Sequence, residues 1–354
     1  MLADKVDHVI GVDTHRDTHT AVIVNPAGAV QAQLTVPTSP HGYGRLLRFA
    51  QEQASGRRCW AIEGTGSFGA ALSAMLARNG ELVLEIDRPK RPARRNGAKS
   101  DELDAARAAR EALSREHLAT PRQRGWREAI RVLLTTRQAA MAARTQAITH
   151  LKALLVSAPA GLREELRRHG NERLLNRCAC LRVPSKCDVE RQATVLALRA
   201  TARRALALQA EATELETQLA ALTREIAPDI LAQPGIGTIS AAQLLVSFSH
   251  QGRLRNEAAF AALAGAAPIP ASSGQITRYR LNRGGDRQLN RALHTITICR
   301  LRYDPTTQAY AARRATEGKT PREIKRCLKR YLARTLYRQL HNNPQLTPPA
   351  TTTP

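Results

Sequence analysis

The chain has 354 residues, 43% of them hydrophobic, enough to bury a core and too many for a disordered chain. Lys and Arg number 54 against 30 Asp and Glu, a net charge of +24, and such an excess points to a polyanion partner. A GC-rich coding bias explains Arg in place of Lys but not the uncompensated charge. The basic residues are spread along the whole chain, which favours nucleic acid over a membrane surface. No run of about 18 apolar residues occurs, and the first residues lack a charged-then-apolar signal, so a soluble cytoplasmic protein with reduced cysteines is expected. Cys178, Cys180 and Cys187, with His169 nearby, are unevenly spaced and lack paired CxxC knuckles, a weak pattern for structural zinc.

In chain order, "HVIGVDT" and "TAVIVN" are β-branched runs separated by a few polar residues. A Pro-Ala-Gly turn at 26–28 leads to a third strand in "AGAVQAQLTVPTS", so the chain opens as a three-strand meander. "GYGRLLRFAQEQ" is helical, "RRCWAIEGTG" is a strand ending in Glu63, and "FGAALSAMLARNG" is a helix closed by Gly80. "ELVLEIDRP" is a fifth strand, stopped by Pro89. The order βββαβαβ followed by a helix is that of an α/β ribonuclease-H-like domain.

From about 101 to 230 the pattern is helical. Ile130, Leu134, Met141, Ile148, Leu151 and Leu155 keep near-heptad spacing, with Arg137 and Arg144 on the same seam. Leu198, Ala205, Leu208, Ala212, Leu215, Leu219, Leu222 and Ile226 do the same on a second segment. Pro159, Gly161, Gly170 and Pro184 mark the return between them, so a helical hairpin, a dimerising coiled coil or an ordinary bundle fits. The expected division is 1–124 as the ribonuclease-H-like domain and 125–228 as a helical coiled-coil connector. A mainly α C-terminal domain follows over 229–340, then a disordered Pro/Thr-rich tail over 341–354.

Four acids stand out by position. Asp13 ends the first strand, and Glu63 ends the fourth, which in this fold lies beside the first. Asp101 and Asp104 stand at i and i+3 in "KSDELDAARAAR", where Ser100 reads as an N-cap. If that helix packs across the sheet, all four carboxylates converge, and convergent carboxylates need a cation. Oxygen donors suit Mg²⁺ or Mn²⁺. Each acid also has an ordinary reading, a helix dipole for Asp101 and Asp104 or a turn for Asp13. Asp13, His15, Asp17 and His19 stand at alternate positions, which on one extended strand would share a face. The last three either contact phosphate or water or occupy the hairpin turn, and they stay outside the metal shell.

"LAQPGIGTISAAQLL" has the form of a helix-hairpin-helix, in which Gly235 and Gly237 let backbone N–H groups approach a phosphate and Thr238 opens the next helix. Farther on, Ser272-Ser273-Gly274 precedes Arg278, Arg280, Arg283 and Arg287. Arginines around a serine suit attack on phosphorus, although Ser-Ser-Gly alone reads first as a flexible loop.

Six motifs, "GVDTHRDTH", "IEGTGSFG", "KSDELDAARAAR", "PGIGTISAAQLL", "FAALAGAAPIPASSG" and "RGGDRQLNRAL", occur in the order found in the DEDD transposases of insertion sequences, which the chain resembles from about residue 8 to 340. The resemblance implies a RuvC-like N-terminal domain, with Asp13, Glu63, Asp101 and Asp104 as Mg²⁺ ligands. It further implies Ser273 as a nucleophile that becomes covalently linked to double-stranded donor and target DNA, with Ser272 as the neighbouring alternative. A noncoding bridge RNA would guide both DNAs. Homodimers would assemble into a tetramer, each active site shared between the RuvC-like domain of one subunit and the transposase domain of another. Two departures stand: Arg283 before Gly284-Gly285-Asp286 where the family often has Lys, and Gly64 where Ala commonly follows the Glu. The rival readings are a Holliday-junction resolvase-like nuclease using the four acids and water, and a non-catalytic nucleic-acid-binding protein. An actin-like sugar kinase shares the "GVDT" opening, but His15-Arg16 takes the place of the glycine that lets phosphate approach.

Overall fold

The computed structural model describes residues 1–86, 100–183, 188–270, 279–280, 282 and 284–347. The sequence begins with β1 (His8–Thr14), β2 (Thr18–Val24) and β3 (Val30–Pro37), an antiparallel meander of β-branched strands. Helix α1 (Pro40–Gln53), capped by the Ser39 hydroxyl, then crosses to β4 (Arg58–Glu63), which pairs parallel with β1. Helix α2 (Ala70–Arg78) crosses in the same way to β5 (Val83–Ile86). The resulting mixed sheet has the order β3-β2-β1-β4-β5.

Strand alternation divides this sheet into two faces. Ile10, Val12, Ile23, Trp60 and Ile62 pack with Leu46 of α1 and with Leu72 and Leu76 of α2. The other face, with Val9, Val22, Val24, Cys59 and Ala61, is covered by α3 (Asp101–Ser114). The covering surface of α3 is almost all alanine: Ala105, Ala106, Ala108, Ala109 and Ala112 are buried. Small side chains let its backbone come close, and β1 answers with Gly11. A Cβ built at Gly11 would lie 2.0 Å from the Ala105 carbonyl oxygen and 2.8 Å from the Ala109 nitrogen.

The alternate acids and histidines do not share a face, because the strand ends at Thr14 and the chain reverses. The His15 amide donates to the Thr18 carbonyl at 3.0 Å, and β2 returns with His19 paired to Thr14. Thr14 is one residue out of phase with Asp13, so His19 lies on the opposite face, fully buried and stacked on Tyr43 at 5.6 Å.

The chain forms two compact units. The first comprises Met1–Arg124, Phe248–Asn256 and the stretch that begins at Leu346. Inside it, Glu85 pairs with Arg122 at 3.0 Å and Arg253 at 2.7 Å, and Gln251 donates to the Leu346 carbonyl at 3.0 Å. Within the stretch read as tail, a 3₁₀ turn at Pro344–Leu346 buries Leu346 completely. A side chain with a large apolar surface stays out of water despite its Pro- and Asn-rich neighbours.

The second unit comprises Gly125–Ser247 and Glu257–Gln345 and is mainly helical. Its long helices α4 (Trp126–Val156) and α7 (Val189–Ile226) run antiparallel, with α5 (Ala160–Leu166) and α6 (Asn171–Ala179) in the return. Most of the two apolar stripes is buried, while Met141, Leu208, Leu215 and Leu222 are partly exposed. Arg137 keeps its seam position by pairing with Glu216 across the helices at 2.8 Å. Cys178 is buried here, its thiol pushed up to about 11 by burial and then by Glu165. Beyond lie α8 (Pro228–Leu231), α9 (Thr238–Phe248), α10 (Glu257–Leu263), β6 (Ile269–Pro270), β7 (Tyr279–Arg280), α11 (Arg287–Tyr303), α12 (Pro305–Thr316) and α13 (Pro321–His341).

Gly11→Ala should cost at least the ~1–3 kcal/mol of an overpacked core. The atoms in the way are backbone and cannot rotate aside. Urea unfolding measures the loss, and an unchanged midpoint would show that α3 does not rest on β1 as described.

Candidate functional site

Asp13 follows Val12, the last β1 residue paired to β4, and Glu63 follows its partner Ile62, so the two acids end adjacent parallel strands. Thr14 fastens this edge by donating its hydroxyl to the Glu63 carbonyl at 2.9 Å. Asp13 shares the Gly11 face and therefore points toward α3. Ser100 caps that helix by accepting from the Leu103 amide, which places Asp101 and Asp104 on its first turn. Because α3 lies so close to β1 at Gly11, this turn reaches the strand end.

The group drawn together among the described residues is Asp13, His15 and Asp101, one donor atom of each lying within 4.8 Å of the others. His15 Nε2 stands 3.1 Å from Asp13 Oδ2 and 3.3 Å from Asp101 Oδ1. Asp104 lies outside this group and pairs with Arg107 at 2.6 Å. Glu63 lies outside it too, although its strand end is abreast of Asp13. The Asp13 side chain is only 13% exposed, against 41% for Asp101 and 43% for His15, so the site is open on the helix and turn side.

Burial holds the Asp13 carboxyl above its usual range, and the charges of Asp101 and Asp104 push it the same way, against the lowering by His15. A mostly buried carboxylate crowded by two others is an unfavourable arrangement until a cation enters. Two carboxylates and an imidazole within reach of one point make a donor set that could hold a divalent metal ion.

In the second unit, Gly235 has φ +75° and sits against α11, where a Cβ would come 3.1 Å from Cys299 Cβ and 3.2 Å from the Ile296 carbonyl. Arg300 secures the turn by donating to the Pro234 carbonyl at 2.8 Å. Internal packing therefore accounts for this glycine. At Gly237 a Cβ would meet nothing within 4 Å, so this part of the turn is open, and Thr238 starts α9. Arg280 and Arg287 are exposed, on β7 and at the start of α11. Ser272, Ser273, Arg278 and Arg283 lie outside the described residues. The segment 271–278 is bracketed by the paired strands β6 and β7. Beside that ribbon Gly285 passes tightly against the 263–265 turn, where a Cβ would lie 2.4 Å from the Gly265 nitrogen. Asp286 then caps α11, accepting from the Gln288 and Leu289 amides and from the Ser247 hydroxyl.

Comparison with known proteins agrees with both halves of this layout. Residues 10–158 match the family model of the DEDD transposases of IS110 type, and residues 228–312 match the one described as transposase of the IS116/IS110/IS902 family. This chain belongs to the IS110-type transposase family. Among its relatives is the "Insertion element IS110 uncharacterized 43.6 kDa protein" of Streptomyces coelicolor. It is 36% identical over 109 residues, 30% of this chain and 27% of the relative. The "Insertion element IS900 uncharacterized 42 kDa protein" of Mycobacterium paratuberculosis is 36% identical over 98 residues, 25% of this chain and 23% of the relative. The matched stretch thus spans about a quarter of each relative's length. The mixed sheet and the mostly helical remainder are compatible with a DEDD nuclease-like architecture.

His15 is the member of the acidic group that sequence reasoning leaves out. The signal was the Asp-x-His spacing at a strand end, hidden because a turn residue has no periodicity to assign its direction. A raised carboxyl pKa in the folded state means that Asp13 favours folding when protonated, and this contribution is lost as pH rises through that value. Asp13→Asn is therefore expected to raise the Tm of the metal-free protein at neutral pH. Mn²⁺ at about 100 times its Kd should stabilise the wild type by about 2.7 kcal/mol, and the Asn variant by far less. His15→Ala should also shrink the Mn²⁺ shift. Thermal melts with and without Mn²⁺ decide this, and a lower metal-free Tm for Asp13→Asn would make the carboxylate a structural one.

Proposed function

We propose that this protein is the transposase of an insertion sequence, a recombinase that cleaves and exchanges DNA strands. The observation that carries this reading is the gathering of Asp13, His15 and Asp101 at the strand end of a mixed sheet, in a chain of this family. In this reading the N-terminal part, 1–124, is a RuvC-like, ribonuclease-H-fold domain. The connector is a coiled coil over 125–228, and 229–340 form the transposase domain, with 231–245 as a helix-hairpin-helix on the DNA backbone. The site residues are Asp13, Glu63, Asp101 and Asp104, joined by His15, with Ser273 as nucleophile.

A bound Mg²⁺ or Mn²⁺ would supply Lewis-acid stabilisation to the phosphate under attack. The chain's own part is to hold that phosphate and aim the hydroxyl. Asp13 on the rigid strand fixes one side of the site, while Asp101 and Asp104 on the first turn of α3 fix the other. Arg107, paired to Asp104, is a cation already close to where the phosphate would lie. Ser273 Oγ would form a bond to phosphorus while the bond to the leaving strand oxygen breaks, leaving a phosphoserine link and a free strand hydroxyl. Attack by a second strand's hydroxyl would reverse the step and join the new strand. Arg278, Arg280, Arg283 and Arg287 would neutralise charge on the backbone nearby. A noncoding RNA of the element would choose the DNA, and dimers joined into a tetramer in the cytoplasm would bring donor and target together.

Covalent retention of DNA tests this directly. The protein is expressed with its native flanking DNA and denatured, and DNA still attached is measured for wild type, Ser273→Ala and Asp13→Ala. The expected result is an adduct with wild type alone, both variants keeping their circular dichroism. Cleavage with no adduct in any sample would instead favour a resolvase-like nuclease that uses the acids and water.

A further inference from the structure

Helices α11 and α13 meet at a contact that the foregoing leaves unexplained. Lys329 Nζ donates to Asn290 Oδ1 at 3.0 Å, and Asn290 Nδ2 in turn donates to the Ala264 carbonyl at 2.6 Å. One turn on along each helix, next to this contact, stand His294 of α11 and Lys325 of α13, His294 exposed and Lys325 partly buried. Arg287 lies seven residues before His294, on the same stripe of α11. The result is a strip of imidazole, two ammonium groups and a guanidinium, held at its centre by an amide.

No carboxylate of the described residues forms an ion pair with Lys325 or Lys329. The acids nearby are committed elsewhere. Glu257 takes Arg334 at 2.6 Å and Arg338 at 2.9 Å, and Glu323 is turned back onto the Thr320 amide and hydroxyl, 2.8 Å each. Lys329 is partly buried, and burial followed by the charge of Arg326 holds its ammonium below the usual lysine range. Burial and then the nearby charges of Lys329 and Lys325 hold the His294 imidazole below its usual range. A fold does not gain stability from such a cluster. An anion would relieve it.

The anchoring of Asn290 says where that anion lies. Its amide grips the Ala264 carbonyl next to Gly265, the turn against which Gly285 packs. That turn leads directly into β6 and β7, the ribbon that brackets segment 271–278. We propose that Lys329, Lys325 and His294, oriented by Asn290, form a binding site for a backbone phosphate of DNA, which places the strand beside the base of the β6–β7 ribbon. The site rests on the transposase reading for its ligand, but none of its residues is one of the four acids or belongs to the helix-hairpin-helix at 231–245. Lysine suits it as a point charge with three donors, able to take one phosphate oxygen while still bonded to Asn290.

The test uses the full chain and two fluorescent probes, a duplex of the native flanking DNA and the noncoding RNA transcribed from the same flank. Lys329→Gln keeps a donor toward Asn290 and removes the charge. It is expected to weaken duplex binding roughly tenfold, the worth of one hydrogen bond to a charged group. It should also reduce the slope of log K against log salt by about 0.9, one phosphate contact on a duplex. Its Tm should be unchanged or higher, since an uncompensated charge has gone, and this separates lost binding from lost folding. Lys325→Gln should act in the same direction, while Arg334→Gln, which removes a charge already paired with Glu257, should leave the slope in place. Duplex binding unchanged in Lys329→Gln overturns the site and leaves the transposase reading standing. Weakening equal to that of Arg334→Gln, or confined to the RNA probe, also overturns it. Wild-type protein that binds neither probe overturns both.

Discussion

The close approach of α3 to β1 at Gly11 is the contact on which the acidic site depends. A helix normally stands off a sheet by the length of two side chains. Here glycine on the strand and alanine on the helix remove both, and the Ala105 carbonyl comes to where a Cβ would be. Only at that distance does the first turn of α3 bring Asp101 to the end of β1, within reach of Asp13 and His15. The same alanines give α3 a high helical propensity, so helix formation and close packing are met by one residue type. Ser100 sets where the first turn begins, and Asp101 is the first residue after it.

Each unit concentrates charge that ion pairs among the described residues only partly offset. In the first, Asp13 sits mostly buried with Asp101 and Asp104 raising its proton affinity. In the second, Lys329 and Lys325 stand together with no ion-paired acid among the described residues, on a helix whose Arg334 and Arg338 are both taken by Glu257. Elsewhere the pairing is regular, as with Arg58 and Glu81, Arg122 and Glu85, or Arg137 and Glu216. Uncompensated clusters lower the stability of the free fold. They become favourable when a partner of opposite sign binds the folded state alone. A divalent cation would answer the first cluster and, at the proposed site, a phosphate the second.

The two glycines expected to approach nucleic acid, Gly235 and Gly237, have different surroundings. Gly235 has its positive φ and lacks a side chain because α11 lies against it, with Arg300 holding the turn. Gly237, two residues on, has open space around it. Gly285 belongs with Gly235: its reason is the 263–265 turn, not a ligand. A glycine in a motif reports a close neighbour, and only the fold says whether that neighbour is protein or substrate.

The five strands, the two crossover helices, the alanine-faced helix and the two long helices could all be read from the sequence. They follow from alternation, from 3.6-residue spacing and from Gly, Pro and Ser at their ends, which act over a few residues. The same local rules marked Asp13, Glu63, Asp101 and Asp104 as acids at the ends of elements. Tertiary structure alone decided which of them meet. It brought Asp13 and Asp101 to His15, a turn residue that periodicity could not orient. It turned His19 to the opposite face through the reversal at residues 15–17, placed Arg137 against Glu216, and set Lys329 on Asn290. Each of these depends on the packing distance and register between segments remote or reversed in the chain, which a local pattern does not contain.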